Sequence, residues 1–96
     1  MAVDDIAQNS QNPFPGEMFN HPDGEDVYGG CNIDYSGTDV TPEVFEAVMT
    51  GDSSFVSGKG NGKVLKSDSN SRVFVFFADH GAPGLIAFPH KYLYAD

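Results

Sequence analysis

Val73-Phe74-Val75-Phe76-Phe77-Ala78, running straight into Asp79-His80-Gly81, is the stretch that decides the fold class. Six apolar, β-prone residues stand in a row without alternation, so a strand built from them is apolar on both faces. That pattern suits a central parallel strand covered by helices on both sides, not a half-solvated one. A shorter apolar run, Leu85-Ile86-Ala87-Phe88, follows Pro83-Gly84 and is stopped by Pro89. Upstream, Thr41-Pro42-Glu43 opens a helix: threonine caps, proline fits the first helical position, and an acid complements the dipole. Val44, Phe45, Val48 and Met49 then fall on one face, and Gly51 stands where a C-terminal glycine ends a helix. The spacing predicts a helix over about 42–50 and a core strand over about 73–78. The fold class is α/β, with only part of the sheet present in this chain.

Further out, the chain is less regular. Residues 8–39 carry Pro13, Pro15, Gly16, Pro22, Gly24, Gly29, Gly30 and Gly37 and no periodic pattern. Asn12-Pro13, Pro15-Gly16 and Pro22-Asp23-Gly24 are turn signals, because proline fixes φ and glycine frees it. A structureless stretch of this length is either a functional loop or a sign that the domain is incomplete. Met1 to Ile6 reads as the tail of a strand that runs into Asp4-Asp5.

Composition narrows the function classes. The 96 residues carry 14 acidic side chains against 5 Lys and Arg, a formal charge of -9. That sign opposes nucleic-acid backbones, which need clustered cations, and it opposes anionic membrane surfaces. No apolar run is long enough to span a bilayer, and the first residues lack the basic end and apolar stretch of a signal peptide. With eight Phe and four Tyr the chain has the material for a modest core. Its one cysteine, Cys31, sits in Gly29-Gly30-Cys31-Asn32 with no neighbouring base or cation to make a thiolate.

Two segments invite chemical readings. Ser57-Gly58-Lys59-Gly60-Asn61-Gly62-Lys63 resembles a phosphate loop in composition, but Val64-Leu65 stand where Ser or Thr and a helix belong. It reads as a flexible basic loop. His80 lies two residues past the most apolar strand, where open α/β sheets place their sites. An imidazole there suits a general base, and the Gly81 N–H suits an oxyanion donor. On spacing alone, Asp-His-Gly after a strand is more often a turn with a surface histidine. His21 and His90 sit beside prolines, and no HxH or HExxH spacing makes a metal site of the three. No metal or cofactor is expected.

Taken in order, several segments resemble the legumain, or asparaginyl endopeptidase, family of cysteine peptidases. They are Asp4-Asp5-Ile6-Ala7, Asn12-Pro13, Pro15-Gly16, Gly24-Glu25-Asp26-Val27-Tyr28 and Asp34-Tyr35-Ser36-Gly37-Thr38-Asp39-Val40-Thr41-Pro42. Gly62-Lys63-Val64-Leu65-Lys66-Ser67 and Val73 through Gly81 complete the set. The resemblance covers essentially the whole chain. It implies an incomplete caspase-like α/β sandwich with a partly parallel sheet, and a His–Cys dyad that cleaves after asparagine and sometimes aspartate. It makes His80 the catalytic histidine and Gly81 the oxyanion-hole glycine. The nucleophile of the family lies in a later Glu-Ala-Cys-Glu-Ser-Gly-like segment, which this chain does not reach, and Cys31 lies in the wrong segment to replace it.

The resemblance thus implies a partial peptidase domain over 1–96, inactive alone, whose partners are peptide substrates and the missing strands of the domain. A lysosomal, vacuolar or secreted parent is implied if that parent carries a signal peptide. The enzyme alternative is a catalytic subunit like that of the GPI transamidase, which shares the histidine motif. The non-enzyme alternative is a truncated paralogue, catalytically silent or acting as an interaction protein.

Overall fold

The computed structural model describes residues 1–3 and 6–95; Asp4 and Asp5, at the end of the expected opening strand, lie outside the described residues. In chain order a 3-10 turn, Gly37–Asp39, precedes helix α1, Pro42–Thr50. Three short strands follow, β1 Gly81–Ala82, β2 Leu85–Ala87 and β3 Tyr92–Tyr94, which pair β1-β2-β3. Both pairings are antiparallel, with Gly81 opposite Ile86 and Ile86 opposite Leu93. The described part is therefore a small α/β unit whose sheet is antiparallel throughout.

Local signals account for α1. Thr41 is extended and its Oγ1 accepts the N–H of Val44 at 3.2 Å, which satisfies one of the orphan donors of the first turn. Gly51 ends the helix at φ 80°, a left-handed conformation that costs glycine nothing, and its N–H reaches the carbonyls of Ala47 and Val48. The apolar face buries Val44 and Ala47 against Tyr35 and Val56, with Val48 and Val64 packed beside them. Each fully buried valine contributes about 1.5–3 kcal/mol by leaving water. This cluster is the core of the molecule.

The glycine-rich loop 57–63 closes over that core. Asn61 donates its N–H to the Asp34 carbonyl (3.0 Å) and its Nδ2 to Asp34 Oδ1 (2.6 Å). The Gly60 N–H donates to Asp39 Oδ2 (3.0 Å), and the Tyr35 hydroxyl donates to the Lys63 carbonyl (2.7 Å). Burial, then the nearby charges of Asp34 and Asp39, push the Tyr35 hydroxyl up, which keeps it a donor. The main-chain N–H groups of Ser57 and of Lys59 through Lys63 are taken by protein acceptors, so the loop is a structural latch and not a phosphate cradle.

Residues 8–39 are held by two polar side chains. Asn12 Nδ2 reaches the carbonyls of Ile6 (3.2 Å), Ala7 (3.0 Å) and Glu17 (2.9 Å), while its Oδ1 accepts from Phe14 N–H (2.9 Å). Asp26 accepts from the N–H groups of Met18 and Tyr28 (both 2.9 Å) and Gly29 (3.0 Å). Those donors, Met18 and Tyr28 foremost, hold the Asp26 carboxyl below the usual range against the opposing effect of burial.

Residues 73–78 depart from expectation. They form no strand, and among the described residues no main-chain hydrogen bond reaches them. Nor does the parallel pairing expected for them form. Their exposure nevertheless alternates, 50% at Val73, 89% at Phe74, 45% at Val75, 81% at Phe76 and 37% at Phe77. That period of two is the mark of an extended backbone. The segment alternates as a strand does but has no ladder, because strand stability lies in pairing and the described residues supply no neighbour. The Cα radius of gyration, 15.4 Å, exceeds the roughly 12.5 Å of a compact domain of this length, in keeping with an open sheet.

Candidate active site at the His80 hairpin

The Pro83-Gly84 turn builds the hairpin that carries His80. Proline supplies the fixed φ of the first turn position, and Gly84, at φ 80°, supplies the left-handed second one. Leu85 pairs with Ala82, Ile86 with Gly81, and the Ala87 N–H donates to the His80 carbonyl at 3.0 Å. On the other side, the His80 N–H donates to Asp79 Oδ1 at 2.7 Å. The His80 backbone is thus held at both its donor and its acceptor.

The same register orients Gly81. In an antiparallel ladder, hydrogen-bonded and non-hydrogen-bonded pairs alternate. Since the His80 carbonyl bonds Ala87, the Gly81–Ile86 pair is of the second kind, and the Gly81 N–H points away from β2. An outward donor next to an exposed imidazole is the arrangement that a general base and an oxyanion donor require.

Phe88, buried, fixes the hairpin to the rest of the chain. Its ring meets Phe45 of α1 at 5.8 Å and Phe77 at 5.3 Å, both tilted. Lys91 Nζ adds an ion pair to Glu43 Oε1 at 2.8 Å, on the surface. The hydrogen bond from Lys91, foremost, lowers the Glu43 carboxyl. This Phe45–Phe88–Phe77 contact escaped sequence reasoning; the signal was the aromatic residue ending the second apolar run.

The other candidate residues lie apart. Cys31 is exposed, its Sγ donating to the Val27 carbonyl at 3.4 Å and its N–H to Tyr28. His21 occupies a turn closed by the Gly24 N–H, and His90 lies between β2 and β3. Among the described residues no three His, Cys, Asp or Glu side chains gather as metal ligands, and no helix is long and apolar enough to cross a membrane.

Comparison with known proteins finds relatives that match nearly the whole chain. The legumain of Rattus norvegicus is 55% identical over 94 residues, which are 98% of this chain and 22% of the relative. The legumain of Canavalia ensiformis is 52% identical over 93 residues, 96% of this chain and 19% of the relative. A vacuolar-processing enzyme of Citrus sinensis is 50% identical over 94 residues, 97% of this chain and 19% of the relative. The chain thus spans about a fifth of the length of the curated relatives it matches. The family model described as the Peptidase C13 family matches residues 1–96, and the chain accordingly belongs to that family of cysteine peptidases.

Proposed function

We propose that this chain supplies the histidine half of a cysteine-peptidase site that cleaves peptides after asparagine, and sometimes aspartate. The observation that carries the reading is the hairpin register, which leaves the Gly81 N–H turned outward beside the exposed His80. In the proposed reaction the His80 imidazole accepts the proton of a cysteine thiol supplied by polypeptide outside residues 1–96. The thiolate attacks the carbonyl carbon, and the charge that develops on oxygen is met by the Gly81 N–H. As the tetrahedral adduct collapses, the imidazolium returns its proton to the leaving amine, and water then releases the acyl group with His80 again as base. Cys31 takes no part. The Asp79 carboxylate, bonded to the His80 N–H, keeps the backbone of the base in place. By likeness to the vacuolar-processing enzymes, the parent polypeptide works in a vacuole or lysosome.

A chimera tests this reading: the 94 matched residues of rat legumain replaced by those of this chain, assayed on an asparaginyl peptide. Activity is expected, falling by about 10⁴-fold or more in kcat on His80→Ala, since dyad members act as a unit. His21→Ala and His90→Ala leave it within a few fold. Loss of activity with His21→Ala and its retention with His80→Ala would overturn the assignment.

A further inference from the structure

Of the six asparagines in the chain, Asn61 alone precedes a glycine. The pair lies in the latch loop, Asn61 exposed and Gly62 half-buried, so water reaches it. An Asn-Gly pair carries a reaction of its own. The glycine's main-chain nitrogen, once deprotonated, attacks the asparagine Cγ, and no Cβ obstructs its approach. The bond from Cγ to Nδ2 then breaks. Ammonia leaves with the proton that the main-chain N–H gave up, and a five-membered imide remains. Water opens the imide at either carbonyl and yields aspartate or isoaspartate. Four hydrogen bonds bear on this step. The Gly62 N–H donates to the Lys59 carbonyl (3.0 Å), which holds the proton that has to leave. Asn61 Nδ2, the leaving group, donates to Asp34 Oδ1 (2.6 Å), and the Asn61 N–H donates to the Asp34 carbonyl (3.0 Å). The fourth favours the reaction: the Lys63 N–H donates to Asn61 Oδ1 (3.0 Å), the oxygen that gathers charge under attack. Yet an oxyanion donor assists only a nucleophile that exists, and a hydrogen-bonded main-chain N–H gives up its proton far more slowly than a free one.

We propose that Asn61-Gly62 is a site of spontaneous deamidation that the closed latch guards, and that its conversion holds the latch open. The loop lifts before the Gly62 N–H is free, so the reaction proceeds from the opened loop. Conversion then replaces a donor by an acceptor. The Nδ2 that meets Asp34 Oδ1 at 2.6 Å becomes a carboxylate oxygen, and two carboxylate oxygens do not hold that distance without a proton between them. Isoaspartate in addition lengthens the main chain by one carbon, which carries the Lys59–Gly62 turn out of register. Gly60 lies against the Tyr35 ring, and Tyr35 packs with Val56 and α1, so a loop that cannot close uncovers the core. The only co-reactant is water. The inference stands apart from the catalytic reading, because it involves neither His80 nor a thiol.

The test holds the 96-residue chain in mildly alkaline, low-salt buffer beside a synthetic peptide of residues 56–66, and follows both by mass-spectrometric peptide mapping. Conversion at Asn61 is expected in the peptide, and about tenfold or more slowly in the folded chain. Concentrated urea should bring the chain to the rate of the peptide, and Asp34→Ala, which frees Nδ2, should raise the folded rate severalfold. The consequence is read by urea titration. Asn61→Asp, one of the two products, should unfold at a lower midpoint than Asn61→Ala, which loses the same side-chain hydrogen bonds without adding a charge. Combining Asp34→Asn with Asn61→Asp exchanges amide and carboxylate, and should recover most of the lost midpoint. Equal rates in folded chain and peptide overturn the guarded site, as does earlier conversion at another asparagine. A midpoint for Asn61→Asp at or above that of Asn61→Ala, or no recovery in the exchanged pair, overturns the held-open latch. Where neither single variant folds, the recovery in the exchanged pair and the rates of the unaltered chain still decide.

Discussion

Gly60→Ala puts the latch over the core to a direct test. Gly60 has φ +47°, and a Cβ added there sits inside van der Waals contact with the Asp34 carbonyl oxygen and 2.6 Å from Tyr35 Cδ1. The obstructing oxygen is backbone, and Tyr35 is fully packed in the core, so neither neighbour can swing away. The loop must instead lift, which breaks the Asn61–Asp34 and Gly60–Asp39 hydrogen bonds. Left-handed φ at alanine costs about 1 kcal/mol, and the three solvent-facing hydrogen bonds add about 1–3 kcal/mol together. The expected loss is about 2–4 kcal/mol, against a total of about 5 kcal/mol for a chain of this size with a small core. Urea titration followed by the far-UV signal of α1 reads it: the midpoint should fall by about two fifths or more, or the transition should vanish. Gly58→Ala is the control, because its φ of +81° carries the same conformational strain with open space around the new methyl. An unchanged midpoint in Gly60→Ala, or equal losses in the two variants, refutes the latch.

Further outcomes are expected from the same structure. The 96-residue chain alone should not turn over asparaginyl peptides, because a histidine without a thiolate partner forfeits covalent catalysis; turnover abolished by His80→Ala would contradict this. Acid should loosen residues 18–29 ahead of the helix. Asp26 has its carboxyl depressed in the folded state, so its stabilisation is complete above the ordinary aspartate value near 3.9 and is lost as pH falls through the lower folded value. Limited proteolysis with pepsin between pH 4.5 and 2 should cut near Met18 first, and Asp26→Ala should be cut there already at pH 4.5. Self-association should rise with salt, which screens the charge of -9 beyond about 8–10 Å while leaving the apolar 73–78 segment exposed. Sedimentation that stays monomeric from 20 to 500 mM salt runs against that expectation.

Contiguous signals were readable from residues alone. Thr41, Pro42 and Gly51 bound α1 because capping acts within one helical turn, and Pro83-Gly84 makes its turn from two residues' own φ preferences. The misfit of residues 57–63 to a phosphate loop was equally local. The candidate site motif was legible as a pattern, Asp79-His80-Gly81 after an apolar run, and the family resemblance rested on the order of such pieces. Three things needed the tertiary structure. Asn12 and Asp26 organise the long loop through main-chain groups up to eight residues away, which no periodicity discloses. The outward turn of the Gly81 N–H follows from ladder register, a property of two paired segments and of neither alone. Most of all, residues 73–78 have the composition and the alternation of a strand but no ladder. Propensity makes a segment ready to be a strand, while the hydrogen bonds that make it one belong to its neighbours, and only the three-dimensional arrangement shows which neighbours are there.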